Sequence, residues 1–310
     1  MRREEYSNAS ILHYDARRRV GSRTCTALRE LGFRRIANVH NADDLGKLML
    51  ARQFDLAVYG SEAVDSGSLD LIGRTRQYDR SSDPYTPMIL MTWNAATDVV
   101  RKALNTGTDQ LLLWPFSPGQ IGARVDALIS ARKRFVETED YLGPERRDPT
   151  GRRRRSNSVV VPNALQARVQ RRPDLAPSAE AIQAARVSLG LVKMDNIARR
   201  ICSVAKILRQ HGDDAGFPRT RVVDDLAAIL KSLAVIREGL AAVGQDHKLS
   251  FCDSVEQVAI QLRRSAPAFD GKGLDLLEQT AMALRVAVEM DVKPVNANSP
   301  APGGISGTMQ

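Results

Sequence analysis

The sequence predicts an α/β domain built on a five-stranded, doubly wound parallel sheet, followed by an all-α helical domain. Three observations carry this expectation. Residues 8–138 alternate short, almost continuously apolar runs with amphipathic stretches, five of each. Residues 178–292 repeat apolar positions at helical-turn spacing with few breaks. Between them, residues 139–177 are rich in Pro and Arg and read as a linker, with VVVPNALQARV (159–169) as a short island of order. Strands covered on both faces lose the alternation of half-exposed strands, so unbroken apolar runs joined by helices indicate a parallel sheet.

The elements follow in order. SILHYD (10–15) is a short apolar run, and ARRRVGSRTCTALRELGF after it places Val20, Cys25, Leu28 and Leu31 at helical spacing before a glycine stop. RRIANVHN (34–41) is the second strand, and DDLGKLMLARQ (43–53) a helix whose first turn carries acids, as the helix dipole favours. FDLAVYG (54–60) is the third strand, followed by a helix over 66–79. TPMILMTW (86–93) and DQLLLWP (109–115) are the fourth and fifth strands, with helices over 94–107 and 117–138. The second half reads as helices over 178–212, 219–244, 251–266 and 273–291, low in aromatics and rich in Ala, Leu, Val and Ile, as in helical bundles. The tail, 293–310, has the composition of a disordered segment.

Composition narrows the classes of function. A length of 310 residues and a 43% apolar share suit about two domains with real cores. No apolar run approaches the ~18 residues of a membrane span. The N-terminal MRREEYSNAS lacks the apolar core of a secretory signal. Cys25, Cys202 and Cys252 are scattered, without metal or disulfide spacing, which points to a cytoplasmic protein. The four histidines are equally dispersed. Basic residues outnumber acidic ones by 20 to 18 over 1–140, by 9 to 3 over 141–177 and by 16 to 15 over 178–310. The excess charge therefore belongs to the middle segment.

A parallel sheet works at the carboxyl ends of its strands, here Asp15, Gly60, Thr92 and Pro115. The runs ILHYDA, FDLAVYG, TPMILMTW and GTDQLLLWPFS, spread over residues 8–136, resemble the receiver domain of two-component response regulators, a flavodoxin-like fold. The resemblance implies a pair of acids after the first strand that hold Mg²⁺. It implies a phosphoaccepting aspartate after the third strand, a hydroxyl after the fourth and a lysine before proline after the fifth. Carboxylates hold the hard cation, and cation and lysine neutralise the incoming phosphoryl group. This chain departs from the pattern. Asp15 keeps the first acidic position, but Ala16 replaces the second. Gly60 stands at the phosphoacceptor, and Trp114 at the lysine, before Pro115 and Phe116. Thr92 keeps the hydroxyl but is followed by Trp93, where the family has a small residue. Glu62 and Asp65, in the following loop, are in the wrong direction to substitute. The expectation is a degenerate receiver that keeps the scaffold strand without its nucleophile. Trp93 and Trp114 either fill the altered pocket and touch a partner or simply pack there.

The segment YLGPERRDPTGRRRR resembles a Y-x-G-P-x-R-R tail of alphaproteobacterial receiver proteins. Arg146, Arg147, Arg152, Arg153, Arg154 and Arg155 are expected to form a flexible basic linker able to meet an anionic partner. No aromatics interleave them, which argues against a base-stacking site. The helical half lacks a compact helix–turn–helix with a basic second helix. His211 and His247 lie near helix ends, poorly suited to phosphotransfer. Asp253/Gln257 and Asp275/Gln279 match the D-x-x-x-Q spacing by which helical phosphatases orient water on a receiver, at a frequency near chance. The expected function is signalling without phosphorylation, by protein–protein contact in a two-component-type pathway, not enzymatic. The partners expected are a kinase, receiver or output protein, or a second copy of the chain. No cofactor is expected, and Mg²⁺ binding weak or absent. The alternatives are a phosphatase or phosphotransfer accessory of a true receiver, and a nucleic-acid-binding regulator acting through the arginine linker.

Overall fold

The computed structural model describes residues 2–61, 67–146, 158–212, 216–265 and 271–289. The chain forms two compact units, Met1–Lys193 and Met194–Gln310. The first unit opens with the elements α1 (Arg2–Glu5), β1 (Ser10–Tyr14), α2 (Arg18–Leu31), β2 (Arg35–Val39), α3 (Ala42–Ala51) and β3 (Leu56–Ser61). It continues with α4 (Gly67–Arg74), β4 (Met88–Thr92), α5 (Thr97–Asn105), β5 (Gln110–Leu113) and α6 (Pro118–Ser130). The five strands are parallel, in the order β2-β1-β3-β4-β5, the flavodoxin-like doubly wound arrangement that the apolar runs predict.

Alternate residues of each strand feed opposite cores, as the two-residue period of a strand requires. Ile11, Leu56, Val58, Ile89, Met91 and Leu112 pack with Leu28 of α2 and with Ile121, Val125 and Leu128 of α6. On the other face Leu12, Tyr14, Ala57, Tyr59 and Leu90 pack with Leu45 and Met49 of α3 and Ala103 of α5. All six residues of β3 and all five of β4 are buried, which is why these two runs read as uninterrupted hydrophobic sequence. The helices start where polar caps allow. Asn41 accepts the Asp44 N–H at 2.8 Å, and Ser117 and Gln120 form a reciprocal capping box ahead of α6.

Past α6 the structure departs from the expected course. The helix stops at Ser130 instead of running to 138, and the chain forms an antiparallel hairpin, β6 (Phe135–Glu137) with β7 (Leu142–Pro144). Arg132 and Phe135 turn inward rather than extending a solvated helix face. The Arg132 guanidinium donates to Asp109 Oδ1 at 2.7 Å and to the Tyr85 carbonyl at 2.6 Å. Arg76 donates to Asp109 Oδ2 at 2.8 Å and to the carbonyls of Pro84, Thr86 and Gly107. Burial lowers the Arg76 pKa, and the Asp109 charge opposes that shift. Both guanidinium groups lie over the ring of the fully buried Phe135.

Order in the described part of 139–177 extends beyond the expected island at 159–169, a correction to the reading of its flanks as a spacer. Val159 bridges Phe135. α7 (Ala164–Gln170) puts Leu165 into the sheet's first core. α8 (Ala179–His211) adds Ala185 and Leu189 to a cluster with Tyr85, Phe135 and Val161. The boundary between the compact units consequently falls inside α8, later than the expected start at 178. Composition misled here because an arginine fastened to buried carbonyls and an arginine in water are the same letter.

The second unit contains the rest of α8, α9 (Arg219–Ala242), α10 (Leu249–Arg264) and α11 (Gly271–Glu289), within two residues of the expected ends. Its core is a stripe of Leu226, Ile229, Leu233, Ile236 and Leu240 from α9, Val255 and Leu262 from α10, and Leu274, Leu277 and Leu284 from α11. Gly239 lets α9 approach the Met194 side chain, which a Cβ there would meet at 2.6 Å. The tail at 293–310, expected to be disordered, lies outside the described residues. No described helix is long and apolar enough to cross a membrane.

Candidate functional site

The carboxyl edge of the sheet brings together most of the residues singled out by sequence. Asp15 follows β1 and is 1% exposed. Gly60 lies one residue inside the end of β3, beside Met91 of β4. Thr92 ends β4, and its hydroxyl accepts the Asn94 N–H at 3.3 Å. Trp114 follows β5, donates its backbone N–H to the Thr92 carbonyl at 2.9 Å and precedes Pro115 through a cis peptide. Ala16 is exposed on the loop. Glu62 and Asp65 lie outside the described residues.

The role of Gly60 follows from one contact. A Cβ built on Gly60 would lie 2.0 Å from Asp15 Oδ2 and 2.6 Å from its Cγ. The Asp15 carboxylate thus lies against the Gly60 backbone, in the space where a side chain at 60 would begin. Gly60 does more than lack a nucleophile; its missing side chain is what admits Asp15. No ordinary rotamer adjustment at 60 relieves a contact at the Cβ itself.

Arg17, which sequence reasoning passed over, holds that carboxylate. Its backbone N–H donates to Asp15 Oδ1 at 2.9 Å, its Nε to Oδ1 at 3.0 Å and its terminal guanidinium nitrogen to Oδ2 at 3.0 Å. The two side-chain bonds form the fork-to-carboxylate geometry that makes Arg pairs specific. In the receiver pattern a metal ion neutralises this acid; here a guanidinium from two residues along the chain does so. The signal for it was the adjacency of Arg17 to the acid, but Arg18 and Arg19 share that signal, and only the loop's path selects one of them.

The guanidinium is covered by aromatics. Arg17 Cζ lies 5.2 Å from the Trp93 ring centroid. Trp93 and Trp114 stack at 5.0 Å with 9° between their planes, and Phe116 tilts against Trp114 at 4.5 Å. An ion pair, a stacked indole pair and a phenyl ring form one continuous ladder from β1 to the start of α6. Trp93 stays 44% exposed, and Leu113 beside it 42%. The two indoles therefore pack on one another and leave Trp93 partly in solvent. Their pairing is foreshadowed by register, since Thr92 and Leu113 are neighbours across β4 and β5.

Behind the ladder a polar file crosses from β1 to α2. His13 Nδ1 is 2.7 Å from Asn38 Oδ1 and 3.7 Å from Cys25 Sγ. His40 Nδ1 is 2.7 Å from the Asp15 carbonyl. Burial lowers the His13 pKa, against the hydrogen bond to Asn38 and the Asp15 charge. Burial raises the Cys25 thiol as well, so it is not a poised nucleophile. Tyr59, next to Gly60, is pushed up to about 12 by burial.

The remaining candidates are placed elsewhere. Arg146 donates to the Thr108 carbonyl and belongs to the hairpin attachment, not to a free basic strip. Arg147, Arg152, Arg153, Arg154 and Arg155 lie outside the described residues. Asp253 pairs with Arg237 at 2.6 Å, and Asp275 with Arg209 at 2.5 Å, while Gln257 and Gln279 are exposed one turn on. Each acid of the two D-x-x-x-Q pairs thus has an arginine partner. Among the described residues no group of three or more His, Cys, Asp or Glu is arranged to hold a metal ion.

No family model matches the chain, and no curated protein matches it. Solved structures similar to it include the receiver domain of the Francisella response regulator 1452, at 20% identity over 38% of this chain and 94% of that one, with a TM-score of 0.34. HP1043, an orphan response regulator of H. pylori, is 20% identical over 39% and 96% of the two chains, with a TM-score of 0.33. A putative pilus assembly-related protein from Burkholderia pseudomallei is 17% identical over 39% and 89%, with a TM-score of 0.32.

Proposed function

We propose that this chain is a pseudo-receiver, a signalling protein of the two-component type that works by protein–protein contact without being phosphorylated. One observation carries the reading: the Asp15 carboxylate lies in the space of a Gly60 side chain, held there by Arg17. An acyl-phosphate centre needs a free carboxylate, a second acid for the cation and a mobile lysine. At this edge Gly60, Ala16 and Trp114 hold those three positions, and the remaining acid is already neutralised.

The surface that would carry the signal is the rim of the ladder. Trp93 and Leu113 are large, apolar and partly exposed beside α5 and α6. A rigid tryptophan held between a guanidinium and a second indole loses little entropy on docking, the property that makes Trp a strong interface anchor. The partner class is another signalling protein (kinase, receiver or output module).

The test is a capture experiment on the full chain, with and without Mg²⁺ and beryllium fluoride, which mimics a phosphorylated aspartate. Capture unchanged by the mimic and lost with Trp93→Ala is the expected outcome. Capture that requires the mimic would defeat the proposal.

A further inference from the structure

The first unit carries a second concavity at the opposite, amino edge of its sheet. Its volume is about 720 Å³, in the range that small-molecule sites occupy. The floor is apolar, formed by Phe54, Ala164, Ala167 and Pro177. The rim is basic, with Arg35 from the start of β2, Arg168 from α7 and Arg171 from the cap of α7. Among the described residues, Asp55 is the sole carboxylate lining it. That acid is already engaged, its Oδ2 accepting the Ser10 N–H at 2.7 Å and hydroxyl at 2.9 Å, with Arg168 Nε 3.5 Å from Oδ1. Arg35 and Arg171 have no acidic partner among the described residues. Three arginines therefore line one concavity against a single, satisfied carboxylate among the described residues.

Arg171 adds an independent sign. It caps α7 in the left-handed conformation, with φ 54 and ψ 43. Glycine adopts this conformation without strain and is the usual residue at such a cap. Strain kept in a folded chain points to a side chain that is used. The wall beside it is tied down, since the Gln53 amide donates to the Pro177 carbonyl at 3.1 Å.

We propose that this concavity binds a small organic phosphate, with Arg35, Arg168 and Arg171 on its phosphate groups and its apolar or aromatic body on Phe54 and the two alanines. Planar guanidinium forks match phosphate oxygens in pairs. A bare inorganic anion would leave the floor uncovered, and a neutral ligand would leave the arginines unanswered. This site is independent of the pseudo-receiver reading.

Calorimetric titration of the full chain with ADP, with pyrophosphate and with a single-stranded oligonucleotide tests it. Expected are saturable ADP binding, weaker pyrophosphate binding, and a loss of about tenfold or more in ADP affinity for Arg35→Gln and for Arg171→Gly. Arg171→Gly relieves the backbone, so its Tm should hold or rise while binding falls, which separates ligand contact from folding. Absence of ADP binding, ADP binding untouched by both substitutions, pyrophosphate binding tighter than ADP, or binding confined to the oligonucleotide would each overturn the proposal.

Discussion

At residue scale the structure turns on two atoms, Gly60 Cα and Asp15 Oδ2. Because a Cβ on residue 60 would meet the carboxylate at 2.0 Å, Gly60→Ala must displace Asp15 and break its fork with Arg17. We expect a loss of about 3 kcal/mol from overpacking and a disturbed buried ion pair, read as a lower urea midpoint. The same substitution in an Asp15→Ala background should cost less than about 1 kcal/mol, because the obstructing group is gone. Equal costs in both backgrounds would show that the contact does not govern position 60. Sequence placed Asp15 and Gly60 at one edge, since strand periodicity determines where each strand ends. It did not show that one fills the other's space, which depends on the path of the loop carrying Arg17.

At element scale, strand β1 carries a buried histidine, and its titration has a definite sign. The folded pKa of His13 lies below the ordinary 6.5, so the unfolded chain binds this proton more readily than the folded one. Its contribution to stability is then full above about pH 6.5 and is lost as pH falls from there toward the lowered folded pKa. Urea midpoints measured from pH 7.5 down to 5.5 should fall for the wild type, and fall less steeply for His13→Gln.

The β6–β7 hairpin makes a second case at this scale. A Cβ on Gly143 would meet Gly107 Cα at 2.7 Å, a backbone atom that cannot swing away. Gly107 itself has φ 81 and cannot readily yield by changing conformation. Gly143→Ala should therefore cost about 2 kcal/mol and expose the Phe135 cluster to a hydrophobic dye. An unchanged midpoint would mean that the hairpin rests on the sheet without close packing. The Y-x-G-P run thus has a physical meaning that its letters did not disclose: glycine for close approach, and Tyr141 donating to the Pro144 carbonyl at 2.8 Å.

At the scale of the whole molecule, the five-stranded sheet and the four long helices were legible from period alone, because burial on both faces or along one stripe writes itself into spacing. The division of the chain was not. Arg146 belongs by composition to a basic linker, and Arg132 and Arg134 by periodicity to a helix, yet the three bond the Thr108 carbonyl, Asp109 and the Ser158 carbonyl. Their partners are distant in sequence, so no local pattern announces them. A fragment ending at Thr138 would leave Tyr85 and Phe135 without Val161, Ala185 and Leu189. It should unfold at least 5 °C below a fragment ending at Lys193, on the scale of about 1 kcal/mol or more of lost burial. Equal melting temperatures would restore the shorter boundary.

The central claim, signalling without an acyl phosphate, is tested most directly by intact-mass measurement after incubation with acetyl phosphate and Mg²⁺, beside an authentic receiver as positive control. The expected result is an unmodified chain under conditions that modify the control. A labile adduct that maps to Asp15, or to any carboxylate at the carboxyl edge of the sheet, would contradict it.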